Sequence, residues 1–218
     1  MIVHRLGEVA STQAEARKLA EAGALHGTSV LAEVQTQGRG RLGRRWEAAP
    51  GENLLLSVVL RPPVPAREAP LLTLGAAAGV ATTLDLRVKW PNDLVDTEGH
   101  KLGGFLAELE ADGERVSFVI LGLGLNVNQV EFPGLPNATS LRRLRGPSQD
   151  LDVVLDDVLR AILAWSAHPG RLDLWRERAH TLGRHVRVGE VEGVATGLRD
   201  DGALLVDGVP VLTGEVGA

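Results

Sequence analysis

The sequence predicts an α+β fold, in which a mixed β-sheet with helices packed on it is followed by a small C-terminal β-barrel. Segments with strand and helix patterns are grouped along the chain instead of alternating strictly, which argues against a doubly wound parallel sheet. Residues 71–86 form the longest apolar stretch, with the composition of a buried helix. From Gly183 onward, short valine-rich strands are separated by glycine and Asp-Gly turns, the pattern of a hairpin-built barrel. We therefore expect two domains, at 1–182 and 183–218.

The first half of the chain contains well-separated strand and helix signals. Thr12 and Glu15 have the spacing of a capping box, so a helix is expected to start there and to reach about residue 24. The other predicted elements are a strand at 2–9, a strand at 29–37, a glycine- and arginine-rich loop at 38–51, a strand at 53–60 and the buried helix at 71–86.

The second half begins with β structure and continues with helices before the barrel strands. A turn is expected at 91–93, because proline, asparagine and aspartate all favour turns. The other predicted elements are a β-rich stretch at 87–110, a pair of strands at 114–128, a loop at 129–137 and helices at 150–165 and 171–181.

The composition excludes several classes of protein. The chain has 218 residues, of which 44% are hydrophobic, and a formal net charge of −5; these values argue against a disordered chain and against a general nucleic-acid binder. The absence of cysteine excludes disulfides, thiolate catalysis and zinc sites that use sulfur. Residues 1–13 lack the pattern of a secretory signal and 71–86 is short for a bilayer span, so we expect a soluble, cytoplasmic protein.

The segment Gly-Arg-Gly-Arg-Leu-Gly-Arg-Arg-Trp at 38–46 is the strongest chemical signal. Its glycines allow the backbone to approach a ligand closely, and its arginines carry fork-shaped donors suited to phosphate oxygens. It is not a P-loop, since it has no Gly-Lys-Ser/Thr ending and no helix pattern follows. The pattern predicts a flexible basic loop that closes over an anion; a solvated surface loop is the alternative.

Three further segments place polar residues or glycines at unusual positions. The segment 89–93 puts a lysine and a tryptophan at a strand end, although Trp90 alone is more typical of a core. In 101–108, Lys101 precedes two adjacent glycines, which require a reason such as close approach of a ligand or of neighbouring backbone. The segment 122–128 is not a dinucleotide-binding loop, because the third glycine of that motif is missing. Its two asparagines alternate along the chain, so they are predicted to share one strand face, where a ligand or a metal-bound water can meet them.

Taken together, these four segments resemble biotin protein ligase, the enzyme that attaches biotin to a lysine of an acceptor protein. They are similar, in chain order, to the family's GRGRxGRxW loop, KWPND turn, KLGGhLxE strand and GhGhNhN strand. Ser11-Thr12-Gln13 and Gln35 also stand where the family keeps biotin-binding residues. Only three of the 23 basic residues are lysines, and two of these, Lys89 and Lys101, lie in the four segments.

The resemblance covers nearly the whole chain and implies a biotin/lipoate-ligase-like catalytic domain with an SH3-like C-terminal barrel. Some members of the family add an N-terminal winged-helix DNA-binding domain. Because this sequence starts directly at the catalytic segment, a repressor role is not implied. The acidic charge balance and the lack of a bilayer span lead us to expect no DNA partner and no membrane partner. A homodimer is among the assemblies that the sequence allows.

The resemblance also implies a role for individual residues. Lys101 would bridge the biotin carboxylate and the α-phosphate, and Arg41 would join it in catalysis. The residues implied in biotin binding are Ser11, Thr12, Gln35, Gly38, Arg39, Arg41, Trp46, Lys101, Gly103 and Gly104. Those implied in nucleotide binding are Arg39, Arg41, Arg44, Trp46, Lys89, Asn92 and Asn126. Asp93, with Asn126 as a second candidate, would hold Mg²⁺.

The implied reaction has two steps and requires ATP, Mg²⁺ and biotin. Biotin first reacts with ATP to give biotinyl-5′-AMP, and a lysine of a biotin carboxyl carrier protein then takes the biotinyl group. There are two main alternatives: a lipoate–protein ligase, which shares the catalytic fold, and a non-catalytic biotin-binding sensor. A nucleic-acid-binding module is a weaker third alternative. The arginine-rich loop together with the KWPND turn favours biotin.

Overall fold

The computed structural model describes residues 2–217, so Met1 and Ala218, the outer ends of the two predicted domains, lie outside the described residues. The chain divides into two compact units. The first comprises the residues up to Ala69 together with Lys101–Asp156, and the second comprises Pro70–His100 together with the residues from Asp157 onward. The domain boundary near residue 182 stays a prediction.

Strands and helices follow one another along the chain in an order close to the predicted one. The strands are β1 (Val3–Val9), β2 (Ser29–Gln35), β3 (Asn53–Leu60), β4 (Arg87–Lys89), β5 (Asp93–Val95), β6 (Lys101–Asp112), β7 (Arg115–Asn126), β8 (His185–Val188), β9 (Val191–Leu198), β10 (Leu204–Val206) and β11 (Val209–Val211). The helices are α1 (Thr12–Glu21), α2 (Ala69–Leu84), α3 (Leu141–Arg145), α4 (Leu151–Trp165) and α5 (Arg171–Arg178).

Five strands of the first unit lie side by side in the order β1-β2-β3-β7-β6. β1 and β2 are parallel and the other neighbouring pairs are antiparallel, so the sheet is mixed, as the sequence predicts. Every residue of β3 is buried, which explains why its sequence is almost continuously apolar. The small residues Ala16 and Ala20 of α1 belong to the same core cluster as Val30, Val59 and Ile120 of the strands.

Two predicted elements of the first unit differ from the structure. The expected strand pair at 114–128 is one long strand, β7, because the hairpin turn lies earlier, at Gly113, whose φ of +56° suits glycine. The predicted helix to about residue 24 ends at Glu21, shortly before Gly23 adopts a φ of +89°. The short helix α3 was not predicted, since five residues are too few to show a helical period.

The predicted capping box is also wrong. The N-cap residue of α1 is Ser11, and its side chain makes no capping hydrogen bond. The Thr12 hydroxyl instead donates to Gln35, and Glu15 pairs with Lys18 at 2.8 Å. The start of α1 therefore depends on contacts with other parts of the chain, which the local sequence does not reveal.

The second unit is built around α2, which is almost completely buried. Gly79 of this helix faces Trp165, and a methyl group added there would lie 2.8 Å from the tryptophan Cβ. Strands β8 to β11 form one antiparallel sheet in the order β11-β10-β9-β8, in line with the expected hairpins. Within residues 2–217, no helix is both long and apolar enough to cross a membrane.

Candidate active site

The first turn of α1 is held by hydrogen bonds to two strands of the sheet. The backbone N–H and the hydroxyl of Thr12 both donate to Oε1 of Gln35, at 2.8 and 3.0 Å. The Ser57 hydroxyl, in the middle of β3, donates to Thr12 Oγ1 at 2.8 Å. Thr12 and Gln35, both implied in biotin binding, thus belong to one network. Because the Gln35 oxygen is used there, its amide nitrogen is the atom that can meet a ligand.

In the first unit, a set of buried polar atoms has no hydrogen-bond partner within the described residues. These atoms are Oγ of Ser11, Oε1 and Nε2 of Gln13, and Nε1 of Trp46. Ser11 and Gln13 are only 5% and 4% exposed. Folded proteins pair nearly all buried polar groups, so such a set indicates a place for a ligand. Hydroxyl, amide and indole groups together offer both donors and acceptors.

The glycines of the 122–128 segment make room for two of these side chains. A methyl group on Gly122 would lie 3.0 Å from Cδ of Gln13, and a methyl group on Gly124 would overlap the indole of Trp46. Gly122 and Gly124 are two residues apart on β7 and therefore share one face of the sheet. Gln13 and Trp46 cover that face together, so the glycines form a floor beneath polar side chains and not a dinucleotide loop.

The arginine-rich loop 38–46 is folded back on itself. Trp46 N donates to the Gly38 carbonyl at 3.0 Å, and Gly40 N donates to the Arg44 carbonyl at 2.8 Å. A short 3-10 turn, Arg41–Gly43, forms the tip. Glycine at position 38 is required, since a methyl group there would lie 2.6 Å from the carbonyl oxygen of Trp46. The loop is thus a tight hairpin that presents its arginines around a fixed tryptophan.

Arg39 of this loop has a carboxylate partner on β6. Its Nη2 lies 2.8 Å from Oε1 of Glu108, and the other oxygen of Glu108 lies 3.5 Å from Nη2 of Arg17 on α1. Arg17 also pairs with Glu110 at 3.1 Å. The guanidinium of Arg39, implied in nucleotide and biotin binding, is therefore neutralised in this arrangement of the loop. Arg41 and Arg44 are also engaged in interactions.

Lys101, the first residue of β6, lies beside the loop. Its Nζ is 5.9 Å from the ring centroid of Trp46, within cation–π range. Its backbone N–H donates to the Asn137 carbonyl at 2.7 Å, and its carbonyl accepts from Thr139 N at 2.9 Å. These bonds fix the start of β6, so that the ammonium group is placed next to the indole whose Nε1 has no partner among residues 2–217.

The glycine pair that follows Lys101 lies against β7. A methyl group on Gly103 would be 2.7 Å from the carbonyl oxygen of Gly124. Gly104 is directly opposite Gly124 in the sheet register. The sequence predicts that a ligand or neighbouring backbone comes close to this glycine pair. In the structure, the backbone of β7 does so.

The two asparagines of the 122–128 segment do not share a strand face. Asn126 ends β7, is buried, and donates from Nδ2 to the Thr139 carbonyl at 3.0 Å. Asn128 lies beyond the strand and exchanges two hydrogen bonds with the backbone of Gln149, at 2.9 and 2.8 Å. The prediction of two ligand-facing amides is thus wrong for Asn128, whose amide ties two loops together, and Asn126 is the remaining candidate.

The 89–93 segment lies in the second unit, where it forms the turn of the β4–β5 hairpin, as predicted. Lys89 and Asp93 are opposite each other in the register and, like Asn92, are half-buried. Trp90 is 2% exposed and belongs to the core. Burial lowers the pKa of the nearby His180, and the positive charges of Arg184 and Lys89 lower it further, although Asp96 acts in the opposite direction. His180 is thus neutral at pH 7.

The donors present are compatible with Mg²⁺, the metal that the resemblance implies. Among residues 2–217, no group of three or more His, Asp or Glu side chains forms a metal cage. Mg²⁺ is usually held by one or two carboxylates, with substrate phosphates and water completing its shell. Asp93, or the amide oxygen of Asn126, would be sufficient as a protein ligand of this kind.

A profile of the biotin/lipoate A/B protein ligase family matches residues 6–126. This span contains the segments 38–46, 89–93 and 101–108 and most of 122–128. The chain belongs to this family. Its α+β architecture with a mixed sheet is therefore that of a biotin/lipoate ligase.

Individual relatives in the family are similar over most of the chain. The bifunctional ligase/repressor BirA of Bacillus spizizenii is 36% identical over 220 residues, which cover 91% of this chain and 67% of that protein. The biotin–[acetyl-CoA-carboxylase] ligase of Mycobacterium tuberculosis is 34% identical over 223 residues, covering 93% of this chain and 82% of that protein. The solved structure of Aquifex aeolicus biotin protein ligase in complex with biotin and ATP has a TM-score of 0.82 at 31% identity, covering 99% of this chain and 97% of that one.

Gln13 stands with Ser11 and Thr12 where the family keeps biotin-binding residues, and its buried amide has no partner within residues 2–217, which favours counting it as a ligand contact. Two residues that position others in the site are not among those to which the resemblance gives a role. Ser57 and Glu108 were missed because their partners, Thr12 and Arg39, are 45 and 69 residues away along the chain. A polar residue inside the apolar run of β3 was the one available signal for Ser57.

Proposed function

We propose that this chain is an ATP-dependent ligase that activates biotin as biotinyl-5′-AMP and transfers the biotinyl group to a lysine of a biotin carboxyl carrier protein. Membership of the ligase family and the similarity to biotin ligases support the reaction. The observation of the structure that carries the choice of biotin is the set of buried, unpaired polar atoms of Ser11, Gln13 and Trp46.

The head group of biotin matches this set chemically. Its ureido ring has one carbonyl and two N–H groups, which need donors and acceptors at the same place. The Gln13 amide supplies both, the Ser11 hydroxyl can do either, and the amide nitrogen of Gln35 adds a donor. Trp46 would cover the apolar part of the ligand, and the Gly38 carbonyl holds the Trp46 backbone in place. Lipoate has no ureido group, so it would leave these buried atoms unpaired, at a cost of about 1–3 kcal/mol each.

Lys101 carries the first chemical step in this proposal. A biotin carboxylate oxygen attacks the α-phosphorus of ATP, the new O–P bond forms, and the bond to the β-phosphate breaks with release of pyrophosphate. Two anions must approach each other, so positive groups that are already in place lower the barrier. The ammonium of Lys101 is held at the Trp46 ring by the start of β6. Gly103 packs against the β7 backbone, so the half-buried Gly104 is the glycine of this pair that would let a ligand approach.

The arginine-rich loop would retain the intermediate. Arg39, Arg41 and Arg44 provide guanidinium groups for the phosphate of the adenylate, and the hairpin positions them around Trp46. Closing a loop over a mixed anhydride excludes water and so limits its hydrolysis.

The 89–93 turn, which belongs to the second unit, would also contact the nucleotide. Lys89 and Asn92 are proposed to bind ATP, while Asp93, with Asn126 as the alternative oxygen donor, would hold Mg²⁺. When bound, the ion supplies positive charge to the phosphate oxygens. In the second step, the amine of the carrier lysine attacks the anhydride carbonyl, an amide bond forms and AMP leaves.

Isotope exchange between pyrophosphate and ATP tests the first step and its substrate. We expect exchange that depends on biotin and is not supported by lipoate at the same concentration. Exchange with lipoate alone would assign the chain to lipoate activation. Biotin binding without any exchange would identify a non-catalytic sensor, and either outcome would contradict the proposal.

A further inference from the structure

Trp90, at the centre of the 89–93 turn, is fixed by two buried hydrogen bonds to distant parts of the second unit. Its backbone N–H donates to Oγ1 of Thr181 at 2.8 Å, and its indole Nε1 donates to the Gly202 carbonyl at 3.1 Å. Trp90 and Thr181 are 2% and 1% exposed. The two partners are 91 and 112 residues away along the chain. The turn is thus held from outside its own hairpin.

Both acceptors are themselves firmly placed. Next to Thr181, His180 N donates to the carbonyl of Val88 at 2.8 Å, so this segment runs beside β4 up to the point where the turn begins. Gly202 has a φ of +85°, and a methyl group there would lie 3.0 Å from side-chain carbons of Leu71 and Leu74 of α2. A rigid frame therefore sets the direction in which the chain leaves β4.

From this geometry we infer that Thr181 is a positioning residue for nucleotide binding, acting through Trp90, with the Gly202 carbonyl as the second support. The inference rests on the proposed function, in which Lys89 and Asn92 contact ATP. Those two residues flank Trp90 and Pro91, so a shift of the Trp90 amide moves both. It also gives the turn between β9 and β10 a part in nucleotide binding.

Energetics support a selective effect. If the Thr181 hydroxyl is removed, the Trp90 N–H stays buried without an acceptor, and such a group costs enough to make the backbone rearrange. The biotin-binding residues Ser11, Gln13 and Trp46 belong to the first unit and make none of these contacts. A change in the apparent affinity for ATP without a change for biotin is therefore the expected signature.

The test compares Thr181→Val, which keeps the shape and removes the hydroxyl, with Thr181→Ser, which keeps the hydroxyl. In biotin-dependent pyrophosphate exchange, Thr181→Val should raise KM for ATP about tenfold and leave KM for biotin unchanged, as expected for one lost buried hydrogen bond. Thr181→Ser should stay within about twofold of the unmodified chain. Thr82→Val is the matched control, since that hydroxyl bonds the Ala78 carbonyl of its own helix.

A second variant covers the case in which Thr181→Val does not fold. Trp90→Phe removes the bond to Gly202 alone and should give the same selective rise in KM for ATP. A loss of stability with both KM values unchanged, or changed equally, would show a purely structural role and overturn the inference.

The inference can also be separated from the proposed function. If the unmodified chain shows no biotin-dependent exchange, the proposed function fails. The shift of the melting temperature with Mg-ATP alone then decides on Thr181: weaker binding by Thr181→Val supports its positioning role, and equal binding overturns it.

Discussion

The contribution of the Lys101 ammonium group can be tested with a single substitution. Replacing it by alanine removes an ammonium group that lies 5.9 Å from the Trp46 ring centroid and is proposed to face two approaching anions. We expect Lys101→Ala to slow biotin-dependent pyrophosphate exchange by at least ~10²-fold, a loss typical of removing one prepositioned donor.

Lys18 provides the matched control for this experiment. It lies on α1, is exposed, and pairs with Glu15 in a surface contact of the kind that contributes little to stability. Lys18→Ala should therefore exchange at the normal rate. Near-normal exchange in Lys101→Ala would contradict the role given to Lys101.

Gln13 allows a test in which function and stability change in opposite directions. Its buried amide has no partner within the described residues, so Gln13→Met should keep the free energy of unfolding or raise it by about 1 kcal/mol. The same change should weaken biotin binding about tenfold, because the ureido group loses its partner. Urea unfolding and titration calorimetry with biotin measure the two effects.

Asn53 is the control for Gln13, since both the oxygen and the nitrogen of its amide are hydrogen-bonded. Its Oδ1 accepts from Val127 N at 3.0 Å and its Nδ2 donates to Gln129 at 2.7 Å. Asn53→Leu should lower the free energy of unfolding by about 1–3 kcal/mol. A stability loss in Gln13→Met with unchanged biotin affinity would mean that the Gln13 amide serves the fold and not the ligand.

At the scale of elements, the proposed retention of biotinyl-AMP by the arginine-rich loop can be measured. Arg41 begins the 3-10 turn at the tip of the hairpin. We expect Arg41→Gly to retain adenylate formation but to release biotinyl-AMP about tenfold faster, as for one lost charge-assisted hydrogen bond. Arg45→Gly is the control, because the Arg45 guanidinium bonds the carbonyl of Thr36, between β2 and the loop. Equal release from both variants would argue against a clamp at Arg41.

Local patterns predicted most elements because they depend on neighbouring residues. The buried run of β3, the helix predicted at 150–165 and the turn at 91–93 all follow from spacing and turn chemistry, and the structure contains each of them. The glycines at 122 and 124 could be seen but not explained. Their reason is contact with Gln13 and Trp46, which no spacing within one segment reveals.

At the scale of the whole molecule, the division into two compact units could not be predicted from local sequence patterns. Nothing in the local sequence indicates that Pro70–His100 groups with the residues from Asp157 onward. The contacts responsible span long separations, such as Trp90 with Gly202. The same limit applies to the site, since the four motifs were visible in the sequence, whereas the Arg39–Glu108 pair was not.

Stability of the whole chain should depend on pH through His26. Burial lowers the pKa of His26, and its Nδ1 accepts from the backbone N–H of Arg61 at 3.0 Å, which requires the neutral ring. A histidine with a lower pKa in the folded state binds fewer protons there than when unfolded. Its stabilising contribution is therefore complete above about pH 6.5 and is lost as the pH falls through the folded-state value.

Urea unfolding between about pH 7.5 and 5.5 measures this dependence. His26→Asn keeps an acceptor for Arg61 and removes the titration, so its free energy of unfolding should fall less over the same range. Burial lowers the pKa of His180 in the same direction, but that contribution is common to both proteins and cancels in the comparison. Identical pH dependence in the two would rule out His26 as its source.

Transfer of biotin to protein is the central claim for the molecule. The most direct measurement incubates the purified chain with Mg-ATP, biotin and a biotin carboxyl carrier domain and determines the mass of the carrier. We predict that the carrier gains one biotinyl group, on a lysine, only when ATP and biotin are both present. An unchanged carrier mass under conditions in which an established biotin ligase modifies the same carrier would contradict the account.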